Sequence, residues 1–409
     1  MTKVVWIINQ TAGKIDSGWG ERHFFLSKYW VKKGYKVIII SGSYNHLFIK
    51  QPKISNQQFT IENVDDNIDF CWVKTPKYSG TGFKKIISNF IYTLKLFFLG
   101  TKLLAKPNII IVSSMPIFPI LNGVYFRKKY KAEKLIFEIR DLWPLTPIHL
   151  KGYSKNHPFI KLLSFFEKYA YNKSDNIVSV LPNTSTYINS LTKKKTIIQY
   201  IPNGIEEKFM LKENLPDDLI NLIPKNKFII GYTGTIGLAN AMEFFVDASL
   251  KIKDNSNIHF VIVGDGYLKD NLKSKVTNSA NITFIDKINK SKVQCMISLF
   301  DVCYISRYDS PLYKYGVSYN KYFDYMLAKK PILESSEYHK DKVELSGCGI
   351  IVQPECADAI IVGIFKLYNL SDAERLKIGL KGYNYVKKYH SFEFLSNKYI
   401  NIFENKAIN

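Results

Sequence analysis

KVVWIINQTAGKIDSGWGERHFFLSKYWVKKGYKVIIISG, residues 3–42, reads as strand, glycine loop, helix, strand. The run at 3–9 is short and apolar, and Gly13, Gly18 and Gly20 break it from a helical pattern over 21–33 that sets Phe24, Phe25, Leu26, Tyr29 and Trp30 at core spacing. Gly34 stops the helix, and YKVIIISG supplies the next strand. A βαβ unit of this kind needs a parallel sheet and a right-handed crossover, so the chain opens as a Rossmann-like domain.

Outward from that unit the same grammar continues. Further strands are expected at 108–113, 134–139, 176–180 and 197–201, with helices at about 84–105, 116–130 and 158–172. Their Ile- and Val-rich, almost wholly apolar strands suit a sheet covered on both faces. The segment 202–226 carries three prolines among many charges and reads as a linker. The grammar then restarts: strands at 228–234, 259–266, 281–286 and 301–306, helices from about 241, at 290–299 and at 319–328, and a strand after Pro331. The expectation is an α/β protein of two Rossmann-like, doubly wound parallel-sheet domains, 1–202 joined by a C-terminal helix 385–409, and 203–384.

With 409 residues, 46% of them hydrophobic and 22% charged, the chain can bury two cores and is not disordered. Its five cysteines, at 71, 295, 303, 348 and 356, form no Cys-x-x-Cys pair, which fits reduced thiols in the cytoplasm. MTKVVWIINQ lacks a signal-peptide pattern, and no apolar run approaches the ~20 residues of a spanning helix. The net charge of +22 calls for an anionic partner: nucleic acid, an acidic membrane leaflet or a phosphorylated ligand. The lysines are scattered and no nucleic-acid-binding motif is readable, so that partner is not expected to be nucleic acid.

Glycines stand just past strand ends in both halves: Gly18 and Gly20, Gly234 and Gly237, Gly264 and Gly266 flanking Asp265. Loops of this kind, outside the carboxyl ends of parallel strands, let backbone N–H groups approach phosphate, and together they favour a nucleotide ligand. Asn240 and Glu243, three apart, read as a capping box for the helix beyond, whose N-terminus beside Gly237 would also attract phosphate. In SPLYKYGVSYNKYFDYMLAKKPIL, 310–333, a polar loop leads into a short helix on which Lys321 and Asp324 share a face, either as a solvated ion pair or as ligand contacts.

IPNGIEE (201–207), FVIVGDGYLKDNLK (260–273), NITFID (281–286) and DYMLAKKPIL (324–333) resemble the retaining GT-B glycosyltransferases of family 4, in order and spacing over most of the chain. EIRDLWP (138–144), GYTGTIG (231–237) and GVSYNKYFDYM (316–326) are similar to the subgroup that builds bacterial O-antigens and capsules, including L-N-acetylfucosamine transferases. The resemblance implies two domains facing each other across a cleft, a UDP-sugar donor without further cofactor, and a lipid-linked saccharide acceptor. The family's Glu-x7-Glu motif maps onto Gly316 and Asp324, so Asp324 is expected on the ribose while the sugar-binding Glu is missing. The family's Lys-Gly pair after the glycine loop is replaced by Gly237-Leu238-Ala239; Lys321, with Arg307 as second choice, is expected to neutralise the diphosphate in its place. Val317, Ser318 and Asn320 complete the expected donor loop.

On the acceptor side the family's His-Asp pair becomes Arg140-Asp141. Asp141 either orients the acceptor hydroxyl or caps its loop, and Glu21 is a second candidate contact. Asp141, Lys321 and Glu21 are the residues expected nearest the chemistry. No Asp-x-Asp motif occurs, and no metal is expected. The stretch 83–106 mixes Ile, Phe, Leu and Tyr with five lysines and no acid, reading either as a core helix with a basic outer face or as an interfacial helix against the anionic inner membrane surface. Competing functions are a sugar-nucleotide 2-epimerase of the same architecture, which would want a His and more carboxylates, and a basic nucleic-acid-binding protein.

Overall fold

The structure, a computed structural model, describes residues 2–80, 82–193, 196–207, 213–337 and 342–406. It divides into two compact units, Met1–Asn203 with Phe392–Asn409, and Gly204–Ser391. The chain leaves unit 1 after Asn203 and returns at Phe392, so the helix Asp372–Tyr389 lies in unit 2 and the helix Phe392–Phe403 in unit 1.

Unit 1 is built on an eight-stranded sheet: β1 Val4–Ile8, β2 Lys36–Gly42, β3 Phe59–Asp65, β4 Ile68–Val73, β5 Ile109–Ser113, β6 Lys134–Ile139, β7 Asn176–Ser179 and β8 Ile197–Tyr200, in the spatial order 3-4-2-1-5-6-7-8. All pairs are parallel except β3 with β4, a hairpin at the edge. Sequence pattern alone had no expectation for that hairpin, because ENVDDN interrupts its apolar runs with acids and amides. Strands β1, β5 and β6 are buried along their whole length, as expected for strands covered on both faces. Trp6, Trp30 and Trp72 fill the core, and Trp30 meets Tyr399 and Phe403 of the returning helix edge to face.

Unit 2 holds β9 Phe228–Thr233, β10 Ile258–Val263, β11 Ile282–Ile285, β12 Val302–Ser306, β13 Ile332–Ser335 and β14 Gly349–Val352, all parallel, in the order 11-10-9-12-13-14. Numbered within the unit, this is the 3-2-1-4-5-6 order of a doubly wound Rossmann sheet. The order reverses between β9 and β12, which makes their carboxyl ends the place for a ligand. Phe245, stacked on Tyr304, anchors the helix Glu243–Lys251 against this sheet.

Candidate functional site

At the switch point of unit 2, β9 runs into Gly234-Thr235-Ile236-Gly237 and β10 into Gly264-Asp265-Gly266. Gly264 has φ of +153°, and a Cβ there would lie 1.8 Å from the Gly234 carbonyl oxygen. The glycine therefore lets one loop lie directly on the other. Gly234 donates to Val263, Gly264 to Ile285 and Gly266 to the side chain of Asp265, so these N–H groups are consumed by the fold. The N–H groups of Thr235 and Gly237 have no hydrogen-bond acceptor among the described residues. Gly234, Gly264 and Gly266 shape the loop, and Thr235 and Gly237 are left to donate.

Lys321 reaches this loop from the first turn of the helix Asn320–Leu327. Its amino group donates to Asn240 Oδ1, stands 3.4 Å from the Tyr232 hydroxyl, and lies between the rings of Tyr232 and Tyr319 at 5.1 and 5.0 Å. Desolvation outweighs the attraction of Asp324 and pulls the ammonium down to about 7. A cation so enclosed, with neutral partners only, is stabilised by any anion that reaches the loop.

Asp324 diverges from it. Both carboxylate oxygens accept from Lys290, at 2.8 and 2.7 Å, and its carbonyl accepts from Gln294. Of the two readings of their shared helix face, the ion pair of Lys321 with Asp324 is not formed, and each side chain has its own anchorage. Lys290 and Asp324 are 34 residues apart, and only the fold brings them together.

Three further expectations are corrected. Arg307 is no free cation: its side chain is 1% exposed, paired with Glu334 at 2.9 Å and bonded to the Tyr322 hydroxyl at 2.7 Å. Asn240 and Glu243 do not form a capping box. Asn240 ends a 3-10 turn, Leu238–Asn240, and donates to the Thr235 carbonyl, while Glu243 accepts from Tyr308. Ala241, in the left-handed region at φ +40°, separates that turn from the helix, which starts only at Glu243 behind buried Met242. The helix expected from about 241 therefore begins at Glu243.

Of the remaining donor-loop residues, Gly316 closes the turn Pro311–Tyr315 at φ +85°, Val317 is buried and its carbonyl accepts from Lys342, Ser318 is half-buried, and Asn320 is exposed at the helix start. Asp265 is exposed at the loop tip.

In unit 1, Gly18 ends a 3-10 turn and Gly20 sits at φ +79° where a Cβ would press on the Thr11 carbonyl. The Gly18 N–H bonds to the Ile15 carbonyl and the Gly20 carbonyl accepts from Gly13, so this loop folds on itself. Glu21 precedes the helix Arg22–Val31. Arg140 and Asp141 leave the carboxyl end of β6, and the Arg140 N–H donates to Ser114 Oγ at 2.9 Å. Desolvation pushes the Asp141 carboxyl up to about 6, against the pull of Arg140 and Lys85.

Behind these loops lies a buried hub that sequence reasoning missed. Glu138 accepts from Arg22 Nε (3.0 Å), Ser113 Oγ (2.7 Å) and Tyr399, and His23 Nε2 lies at 2.9 Å. Asn9 Oδ1 accepts from the Thr11 N–H, which turns Asn9 Nδ2 toward His23 Nδ1. That fixes the tautomer: Nδ1 accepts and Nε2–H donates to Glu138. Arg22 also donates to the carbonyls of Ile201 and Pro202, where the chain is about to leave the unit. EIRDLWP contained the acid, but nothing in the pattern marked Arg22 or His23 as its partners.

The two parallel-sheet Rossmann-like units are those of the GT-B architecture. Residues 227–369, within unit 2, match the family described as Glycosyl transferases group 1. No curated protein matches the sequence of the chain. Among solved structures it is similar to sucrose-phosphate synthase from Thermosynechococcus elongatus (TM-score 0.75, 14% identity, 98% of each chain covered). It is also similar to HepE of Anabaena in complex with UDP and glucose (TM-score 0.69, 10% identity, 98% of this chain and 100% of that one). A third is WaaG, a glycosyltransferase involved in lipopolysaccharide biosynthesis (TM-score 0.66, 11% identity, 97% and 99%).

Proposed function

We propose that the protein is a retaining glycosyltransferase that moves a sugar from a UDP-sugar, held by unit 2, to a lipid-linked saccharide acceptor served by unit 1. The observation that carries the reading is Lys321, a desolvated amino group at the switch-point glycine loop with the Thr235 and Gly237 N–H groups beside it. Such a cation stabilises charge that grows on a leaving diphosphate better than water does, because it is already oriented and enclosed. Asp324 takes the ribose hydroxyls with the oxygen lone pairs that Lys290 leaves, and Asp141 orients the acceptor hydroxyl. HepE, bound to UDP and glucose, and WaaG, in lipopolysaccharide biosynthesis, support the donor class and the place in surface-polysaccharide assembly. The motifs EIRDLWP and GVSYNKYFDYM support an N-acetylated hexosamine or deoxyhexosamine as the sugar.

The test is a panel of nucleotide sugars scored by protection against thermal unfolding, since a bound donor stabilises by mass action. UDP-sugars are expected to raise the midpoint and the other nucleotides not. Protection by none of the panel would sink the donor assignment. Turnover is expected to persist in excess EDTA, with Lys321 in place of a metal; complete loss restored by magnesium or manganese overturns that part.

The basic stretch supports a peripheral site on the inner face of the cell membrane. The helix runs over Phe83–Leu96, ending well before the expected 105. Tyr92 and Leu96 face the core, while Phe83, Ile87, Phe90, Leu94 and Phe98 form an exposed stripe, with Phe83, Leu94 and Phe98 exposed at 74, 61 and 76%. No helix among the described residues is long and apolar enough to cross a membrane. An apolar stripe beside lysines is the composition of an interfacial helix. Phe83→Ser, Leu94→Ser and Phe98→Ser together are expected to release the protein from vesicles containing phosphatidylglycerol without lowering its unfolding temperature. Flotation that still carries the variant with the vesicles defeats the membrane assignment.

A further inference from the structure

Three buried polar side chains follow the carboxyl ends of the neighbouring strands β1, β2 and β4 of unit 1: Gln10, Asn45 and Thr75, exposed at 1, 2 and 8%. Gly42, the last residue of β2, separates two of them, since a Cβ there would stand 3.0 Å from Gln10 Cγ and 3.5 Å from Thr75 Oγ1. Gln10 Oε1, Asn45 Nδ2 and Thr75 Oγ1 have no hydrogen-bond partner among the described residues. Their orientation is fixed by the atoms that do. Gln10 Nε2 donates to Ser88 Oγ at 3.2 Å, whose own proton goes to the Pro76 carbonyl; Asn45 Oδ1 accepts from the Leu47 N–H at 3.1 Å; and the Thr75 N–H donates to Ser43 Oγ at 3.1 Å. A buried polar atom left unpaired costs the fold its desolvation, so three at one end of a sheet point to a ligand that satisfies them when bound. The set comprises an amide acceptor, an amide donor and a hydroxyl that does either. None of these atoms is charged, which suits a neutral ligand rich in both donors and acceptors, as a hydroxylated sugar ring is.

Tyr78 supplies an apolar wall beside them. Its buried ring lies 5.4 Å from that of Tyr44 and 5.3 Å from that of His46, the two chain neighbours of Asn45. Lys85, one turn before Ser88 on the helix Phe83–Leu96, sets its amino group 6.0 Å from the centre of the same ring. The ring thus stands between the Asn45 turn and the helix that holds Gln10. Residues 77–80 make no backbone hydrogen bond to a described residue, and Lys77 and Ser79 on either side of Tyr78 are exposed, so the ring is held by side-chain packing and is able to turn outward. We propose that Gln10, Asn45 and Thr75 bind hydroxyl groups of the acceptor saccharide, with Tyr78 turned out so that its ring packs on the C–H face of the sugar. This rests on the saccharide acceptor served by unit 1 that is proposed above.

The experiment titrates the full chain with the methyl pyranosides of glucose, galactose, mannose and N-acetylglucosamine, read by saturation-transfer NMR, beside thermal unfolding of each variant. At least one pyranoside is expected to bind. Thr75→Val keeps the shape and removes the hydroxyl; it is expected to weaken that pyranoside roughly tenfold without lowering the unfolding temperature, because the deleted hydroxyl has no described partner to strand. Gly42→Ala, which sets a methyl group between Gln10 and Thr75, is expected to weaken it as well. Binding by none of the panel, or binding that survives both variants, overturns the subsite. A lowered unfolding temperature for Thr75→Val with binding intact also overturns it, and assigns the hydroxyl to buried water. The acceptor reading is scored separately, by sugar transfer from wild type. Transfer to a lipid-linked acceptor together with pyranoside binding indifferent to both variants keeps that reading and removes the subsite. Variant-sensitive binding with no transfer to any lipid-linked acceptor does the reverse.

Discussion

Lys321→Met is expected to weaken UDP about ten- to a hundredfold, the loss of a charge-assisted contact of roughly 1.5 to 3 kcal/mol, and to leave uridine within about twofold. The difference follows from where the amino group sits: on the glycine loop beside Asn240 and Tyr232, away from the Asp324 end of the helix. Asp324→Ala is expected to weaken both ligands alike. The protonation of Lys321 supplies a second, independent reading. With its ammonium pulled down to about 7, the lysine is mostly neutral at pH 8, and a bound diphosphate draws a proton onto it. Calorimetry at pH 8 in buffers of different ionisation enthalpy should therefore show uptake of about one proton per UDP, fading as the pH falls below 7 where the free protein already carries it. Uptake that survives Lys321→Met, or equal losses of UDP and uridine, would remove Lys321 from the diphosphate.

The parallel sheets of both units were legible because Ile- and Val-rich runs punctuated by glycine have few other uses, and the glycine loops could be placed at strand ends, but which of them stand at the switch point required the strand order seen in the structure. The β3–β4 hairpin was not, since its acids and amides hide the alternation. What sequence could not supply was partnership. Lys321 was chosen because a diphosphate needs a cation and the usual one is missing, yet its neighbours Tyr232 and Asn240 lie more than 80 residues upstream. The stretch 83–106 was read either as a core helix with a basic outer face or as an interfacial helix, and its outer face carries Phe83 and Leu94 as well as Lys84. Helical periodicity gives the width of a face and not the identity of what it meets. The glycine loops show the same limit: their spacing located the pocket, but which N–H groups remain open depends on carbonyls from other strands.

Arg307 illustrates how large the consequence of a missed partner is. As a phosphate ligand it would be dispensable for folding; as the partner of Glu334 it is not. Glu334 Oε1 accepts from Arg307, from the Tyr322 hydroxyl at 2.7 Å and from Ser336 at 2.8 Å, and neither charged side chain is more than 1% exposed. Arg307 also lies 5.7 Å from the centre of the Tyr313 ring. The network ties the ends of β12 and β13 to Tyr322, on the helix that carries Lys321 and Asp324. Arg307→Ala strands a buried carboxylate and is expected to cost unit 2 about 3 to 5 kcal/mol, seen as a lowered urea midpoint and as loss of amide protection along β13. Replacing both partners, Arg307→Met with Glu334→Leu, removes the stranded charge and should recover most of that loss, because an apolar pair of similar volume pays no desolvation. UDP binding should return with the fold in the double variant, since Arg307 positions the helix and does not touch the nucleotide. An Arg307→Ala protein that unfolds like wild type but has lost UDP would place its guanidinium on the diphosphate instead.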